Sequence, residues 1–542
     1  MKSNFAAQKN LDSTMKYYQK LFSFIFSVVA PLVIITFALR EVKDDHHNLN
    51  ELRAKYSVTH KQVVDHSQHA VLQQEFTNPH EITAACLSCH TERGKEVLKN
   101  AHWNWEREAF IPGRGVTYLG KKNLINNFCT GISSNEGTCN RCHVGYGWEN
   151  HDFDFTNEYN IDCLICHDNT NTYEKAKGGA GYPVMGEEGP DFTRILGNVG
   201  RPGTYNCGYC HFHSAGGNNV KHGDLEMALL TADRSVDVHM GVDGLHMSCV
   251  ECHPAENHQM LGRYYGVSSS NTQRATCEQC HTSVPHANSK LNEHTVKVDC
   301  KTCHIPVYAK VNPTKTYWDW STATKRKDGK PYEVLDSTGN QVYASIKGDF
   351  HWQRNAVPEY GWFNGTADHH LLTDKVDLNN LPLKINTLFG SYDDKESKII
   401  PMKVHRGKQP YDVENLTIIQ PKLWDKEVNK GALWVDLDWE RALEEGMEYV
   451  GMPYSGKYDF VETEMYLPVS HMVSTSDLAL DCKDCHTREN SRLAQLTDFY
   501  MPGRDRNFTL DTIGRWLIIL SLLGVLAHGT ARVIISRKIK TS

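Results

Sequence analysis

Aliphatic bulk is what this 542-residue chain has least of, with only 40% of its residues apolar. Two terminal segments take part of that share, so the remainder cannot pack around a large aliphatic core. Strong charge of one sign is missing too. A net charge of −7 over this length gives no basic surplus for a nucleic-acid partner. Loose cysteines for a disulfide scaffold are also absent. Of 17 cysteines all but Cys129 fall into one repeated pentapeptide.

That pentapeptide is C-x-x-C-H. It occurs at Cys86-Cys89-His90, Cys139-Cys142-His143, Cys163-Cys166-His167 and Cys207-Cys210-His211. It recurs at Cys249-Cys252-His253, Cys277-Cys280-His281, Cys300-Cys303-His304 and Cys482-Cys485-His486. A zinc site needs ligands in fours and gives the histidine after each second cysteine no role. In c-type attachment every residue is used: two thiols bond to a haem edge and the histidine ligates its iron. Eight covalent haems c are expected.

The organisation follows. Residues 1–20 are polar and basic, and 21–39 form a 19-residue apolar run, long enough to cross a bilayer. No A-x-A-like site follows, which favours an uncleaved anchor over a removed signal. Residues 40–75 read as a motif-free stalk and 76–305 as a seven-haem region. Residues 306–479 read as an aromatic, charged, haem-free covering segment, and 480–510 as the eighth haem and a connector. A C-terminal transmembrane helix is expected over 511–535, with Arg515 and Arg532 snorkelling, and a tail over 536–542. Lysines before the first span and Arg537, Lys538 and Lys540 after the second put both termini in the cytoplasm. The haem body then lies on the periplasmic side of the inner membrane. Segments between motifs are short and rich in Gly, Asn and Pro. The expected fold is therefore mainly α with extensive loops, wrapped around eight haems.

A haem iron closed by two histidines suits electron transfer. A histidine shortly before a motif can reach a neighbouring haem, which selects His80, His239, His294 and His471 as distal ligands. His102, His213 and His258 are further candidates. Lys221 is unlike these. A loop lysine ordinarily only solvates, and it binds iron only when burial and positive neighbours deprotonate it. Such a bond is weak enough to be displaced, as a catalytic iron requires. Cys129, ten residues before Cys139, reads either as a buried free thiol or as a thiolate beside the second haem.

Eight C-x-x-C-H motifs with N-N-V-K-H-G-D (218–224) between the fourth and fifth resemble the octahaem tetrathionate reductase family. G-Y-G-W (145–148), F-D-F (153–155), D-C-L-I-C-H-D (162–168), V-H-R-G-K-Q-P-Y-D (404–412) and T-E-M-Y-L-P-V-S-H-M (463–472) add to the likeness, which spans about residues 80–490. The resemblance implies an active site where a lysine replaces a distal histidine. That lysine is Lys221, on the iron held by His143, with Cys129 close by. It also implies an aspartate in the site, either Asp152 or Asp154.

The chemistry expected is respiratory reduction of tetrathionate to thiosulfate, with nitrite or hydroxylamine as further substrates. Thiolates attack such sulfurs, and Lys221, Arg406 and Lys408 would attract the dianion. The C-x-x-C-K motif of many nitrite reductases is absent from all eight sites. The alternative is a non-catalytic conduit from the quinol pool to another periplasmic reductase. Either role calls for a membrane partner, an integral cytochrome b or quinol-oxidising subunit. A pyridine haemochrome assay on the purified chain should count eight haems c. A lower count in fully loaded protein would remove at least one motif from this reading.

Overall fold

The computed structural model describes residues 64–540 apart from 129 and 263–269, together with 22, 24, 29 and 51–53. The anchor expected over 21–39 otherwise lies outside the described residues, and so does Cys129.

Up to residue 305 the elements are short. Helix α1, Pro79–Cys89, starts with proline at its first position, and the Asn78 side chain accepts from the His80 backbone N–H. A hairpin follows, β1 Arg107–Ile111 against β2 Gly115–Leu119. Helices α2 Thr204–His211, α3 Ser289–His294 and α4 Cys300–His304 come next. The two cysteines of a motif stand three residues apart, so a single helical turn puts both thiols on one face. A turn is all that most motifs form, as at Cys249–Cys252 and Cys482–Cys485.

The expected stalk ends sooner than residue 75. Short turns at His66–Gln68 and Ala70–Leu72 fold onto the helix Phe192–Gly197. Leu72 and Phe76 join Ile82, Leu164, Ile195 and Leu196 in one apolar cluster. A stretch charged in sequence is thus pinned by two apolar side chains.

The covering segment departs from a mainly α fold, because it is a nine-stranded sheet. Its strands are β3 Thr314–Asp319, β4 Glu333–Leu335, β5 Gln341–Ala344, β6 Gly348–Gln353, β7 Glu359–Phe363, β8 Leu383–Lys384, β9 Lys398–Asp412, β10 Thr417–Ile418 and β11 Tyr458–Pro468. The strand order is β8-β11-β9-β3-β6-β5-β4, with β7 and β10 also paired to β9. Central β9 runs antiparallel to β11 from Met402↔Pro468 to Asp412↔Tyr458, and parallel to β3 at Arg406↔Tyr317. Helix α5, Trp439–Tyr449, is capped by Asp438 and buries Leu443 and Met447. These meet Trp318, Trp320 and Phe350 in the main hydrophobic core. Most of that core therefore comes from the chain after residue 305.

Helix α6, Phe508–Lys540, ends the described chain and exceeds the span expected over 511–535. No residue of its apolar stretch Phe508–Arg537 is buried.

Candidate functional site

A single cavity of about 2780 Å³ runs through the motif-bearing half. Both cysteines of the first six motifs line it, with Cys300. Packed interiors leave few voids larger than a water molecule, so a space of this size is built for a resident group. The histidines test what that group is. Two imidazoles trans on one metal ion place their ring centres roughly 6 Å apart, from two metal–nitrogen bonds of about 2 Å plus the ring radii. Seven motif histidines meet a second histidine at this separation. The pairs are His66–His90 at 6.3 Å, His102–His211 at 6.1 Å, His167–His258 at 6.2 Å and His239–His281 at 6.1 Å. His253–His471 at 6.3 Å, His286–His304 at 6.1 Å and His294–His486 at 6.1 Å complete the set. Several of these rings are aimed by carbonyls that accept from Nδ1: Gly200 for His167, Leu261 for His253 and Pro502 for His486. That leaves Nε2 facing its partner. The residues fit covalent haem c.

His102, His239, His258, His294 and His471 thus stand where distal ligands are expected. His80 does not, because Nδ1 bonds the Tyr159 carbonyl at 3.0 Å and Nε2 the Tyr182 hydroxyl at 3.2 Å. His213 lines the cavity, but no motif histidine faces it among the described residues. His66 and His286 take the two remaining places. Both precede a motif, at longer range than the spacing used to select candidates.

The second motif differs from the other seven. His143 is fully buried, its Nε2 donates to the Trp103 carbonyl at 2.7 Å, and its Nδ1 has no hydrogen-bond partner. Trp103, Trp105, Trp148 and Phe153 wall the ring. Burial pushes its pKa down to about 3. Iron ligation by Nε2 at this motif requires the ring to give up Trp103. Asp152 and Asp154 lie on the loop behind it, and both are exposed. Asp154 accepts from the Thr156 backbone N–H and hydroxyl. Neither aspartate reaches the cavity wall, which corrects the expectation of a site carboxylate at 152 or 154.

Lys221 does line the cavity, beside His222 and His369. What surrounds it was not foreseen. Lys403, fully buried on β9, donates from Nζ to the carbonyls of Val220 (2.8 Å) and Lys221 (2.9 Å) and to Thr314 Oγ1 (2.6 Å). Burial holds its pKa well below the usual lysine range. Lys315 on β3 is buried too, its Nζ 3.4 Å from the Phe350 ring centre and 4.1 Å from that of Trp318. His405, two residues from Lys403 and so on the same strand face, packs against Phe128 at 4.1 Å. Both ring nitrogens of His405 and of His369 lack hydrogen-bond partners. Burial and the Lys221 charge push His369 down to about 3, so it is neutral. The Asn127 amide donates to the His405 carbonyl at 2.8 Å, which fixes the segment before Cys129 against this cluster. Arg406 and Lys408 point the other way, to Glu359 at 2.7 Å and Glu462 at 3.5 Å. Buried Lys403 and His405 thus lie on the face of β9 opposite Arg406 and Lys408, the two residues expected from the sequence.

Thiols of different motifs stand beside one another. Cys485 neighbours Cys303, Cys300 neighbours Cys277, and Cys280 neighbours Cys252. Cys249 meets Cys207, and Cys210 meets Cys142. These contacts order the motifs in one row: eighth, seventh, sixth, fifth, fourth, second. The third joins at the fourth through Cys166, and Cys86 ties the first to the third.

Asp224, the last residue of K-H-G-D, supplies the buried carboxylate. Its Oδ2 accepts from the backbone N–H of Ser470 (2.7 Å) and His471 (2.9 Å) and from His471 Nδ1 (3.2 Å). Glu96 holds His258 in the same way at 2.7 Å but shares its charge with Arg93. An anion bonded to a ligating imidazole favours the oxidised iron and lowers its potential. Asp224→Asn should raise one midpoint potential in a redox titration. About 1.4 kcal/mol of differential stabilisation corresponds to roughly 60 mV for a one-electron couple. An unchanged titration curve would leave Asp224 with a purely structural role.

Comparison with known proteins agrees with this geometry. A family profile described as bacterial cytochrome c matches residues 315–489. An uncharacterised protein of Archaeoglobus fulgidus is 24% identical over 257 residues, covering 39% of this chain and 83% of that protein. The crystal structure of an octahaem cytochrome c from Shewanella oneidensis superposes with a TM-score of 0.75 at 43% identity, covering 82% of this chain and 98% of that one. The chain belongs to the octahaem cytochrome c family.

Proposed function

We propose that this cytochrome is a membrane-anchored respiratory reductase that converts tetrathionate to thiosulfate at the Lys221 end of its cavity, with nitrite and hydroxylamine as further substrates. One observation carries the reading. The second motif alone lacks a facing histidine among the described residues, while buried Lys403 donates to the Lys221 carbonyl and His369, with neither ring nitrogen bonded, lines the cavity with Lys221. A pure conduit needs no such cluster. A lysine ammonium on the cavity wall attracts a dianion strongly where little water screens it.

When bound, the haems supply electrons one at a time. The chain's own residues do the rest. Lys221 holds the dianion, Lys403 holds the Lys221 loop in place, and neutral His369 offers the dianion a donor. Cys129 thiolate attacks the central S–S bond, forming a thiosulfate adduct and releasing one thiosulfate. Two electrons then release the second thiosulfate and restore the thiolate. Helix α6 supports the anchoring. Its 33 residues span roughly 50 Å at 1.5 Å each, against a hydrocarbon core of about 30 Å.

Lys221→Ala should alter the spin state of one haem, leave the other spectra intact and cut tetrathionate turnover about 100-fold. A wild-type spectrum would sink the ligand assignment. Cys129→Ser should slow tetrathionate reduction far more than nitrite reduction, which needs no thiol. Equal losses on both substrates would mean that the thiol only packs.

A further inference from the structure

We infer that the eighth motif is the port through which electrons reach this chain, delivered at the membrane surface by a quinol-oxidising protein embedded in the same bilayer. The inference rests on the anchoring proposed above. It begins with the connector between the motif and α6, which is braced along its length. Phe499 stacks on Tyr392 at 5.4 Å and packs against Trp362 at 5.6 Å. The Arg504 guanidinium donates to the carbonyls of Leu493 (2.8 Å), Leu496 and Phe499 (2.7 Å). Leu493 and Met501 are buried with Tyr360 and Ile399 of the sheet. The Pro502 carbonyl accepts from His486 Nδ1 at 2.7 Å. Gly503, at φ 84°, lies under the His486 carbonyl, where a Cβ would come within 2.6 Å. The histidine and the helix are thus fixed to each other.

The ion pair Arg488–Asp511, at 3.7 Å, measures how close they are. It is exposed and contributes little energy, but it places the first turn of α6 beside the residue two past His486. Two residues span at most about 7 Å. The uncharged stretch of α6 starts at Trp516, roughly 7.5 Å along the helix from Asp511. The headgroup layer is about 5–7 Å deep on each side. The eighth motif therefore sits at headgroup level.

Two further observations point the same way. Exposed apolar side chains flank the ligands of the last two motifs: Leu291 and Val296 beside His294, Val284 beside His286, and Tyr500 near Pro502. Cys482 is itself exposed. The eighth motif also terminates the row of neighbouring thiols whose other end is the second motif. Electrons delivered at one end pass every motif of that row before reaching the second. Helix α6, the one membrane-length apolar helix among the described residues, buries no side chain and so cannot itself enclose a quinol; a separate membrane protein must oxidise it. Quinol then gives up two electrons and two protons to become quinone. The protons leave through that partner and the electrons pass singly to this chain.

The experiment uses host membranes carrying the full chain, duroquinol as donor, and haem c absorbance as the readout. Leu291→Asp, Val296→Asp and the milder Lys290→Glu should slow quinol-driven reduction at least tenfold. The dithionite-reduced spectrum and dye-driven tetrathionate turnover should stay normal. Val71→Asp, an exposed change near the first motif, should have no effect. Unaltered rates in the three variants, or a selective loss in Val71→Asp, would overturn the port. So would membrane-bound wild type that duroquinol does not reduce. Wild type recovered in the soluble fraction would instead overturn the anchoring on which the port depends.

Discussion

Seven facing imidazole pairs, six of them across one cavity, are the constraint on which the rest of this molecule depends. Each pair fixes two distant chain segments at one separation, and the segments between them need only be long enough to connect. This is why the motif-bearing half manages with helices of a turn or two and clusters of a few apolar residues. It has no continuous core of its own to lose. The sheet carries the ordinary hydrophobic packing, with Trp318, Trp320, Leu443 and Met447 at its centre.

The two halves meet where polar groups have no water to fall back on. Lys403 reaches from the central strand to the carbonyls on which the Lys221 loop is built. The Lys175–Asp162 pair, at 3.0 Å and fully buried, plays a similar part near the second motif. Lys175 also donates to the carbonyls of His143 and Gly145, and Asp162 accepts from Tyr173 and Tyr146. Such ionic groups add little net stability compared with an apolar packing, yet losing one partner strands the other charge. They fix geometry where hydrophobic contacts would leave play.

The sequence was most informative where chemistry is local. C-x-x-C-H declares itself in five residues, and of the histidines a few positions ahead of a motif, His239, His294 and His471 do face a motif histidine. His66 and His286 were missed because their reach depends on how the chain turns back, not on spacing. His80 fitted the spacing but is claimed by two tyrosine neighbours. The strands of 306–479 were not anticipated because β9 is buried on both faces and shows no alternation. The same burial hid Lys403 and His405, and of that strand only Arg406 and Lys408 were expected as cations of the site. Asp224 stood in plain view within K-H-G-D, but its partner His471 is 247 residues away.

The side branch from the fourth motif has a consequence for timing. The S–S cleavage proposed above takes two electrons together, while each haem c that the row would hold carries one. The third and first motifs hang off the row one step from the end where the substrate would bind. In circuit terms they are a reservoir next to the load: charge parked there needs no fresh arrival from the membrane. A turnover can then draw its second electron from a neighbour, so the rate at which current reaches the far end need not match the pace of bond breaking.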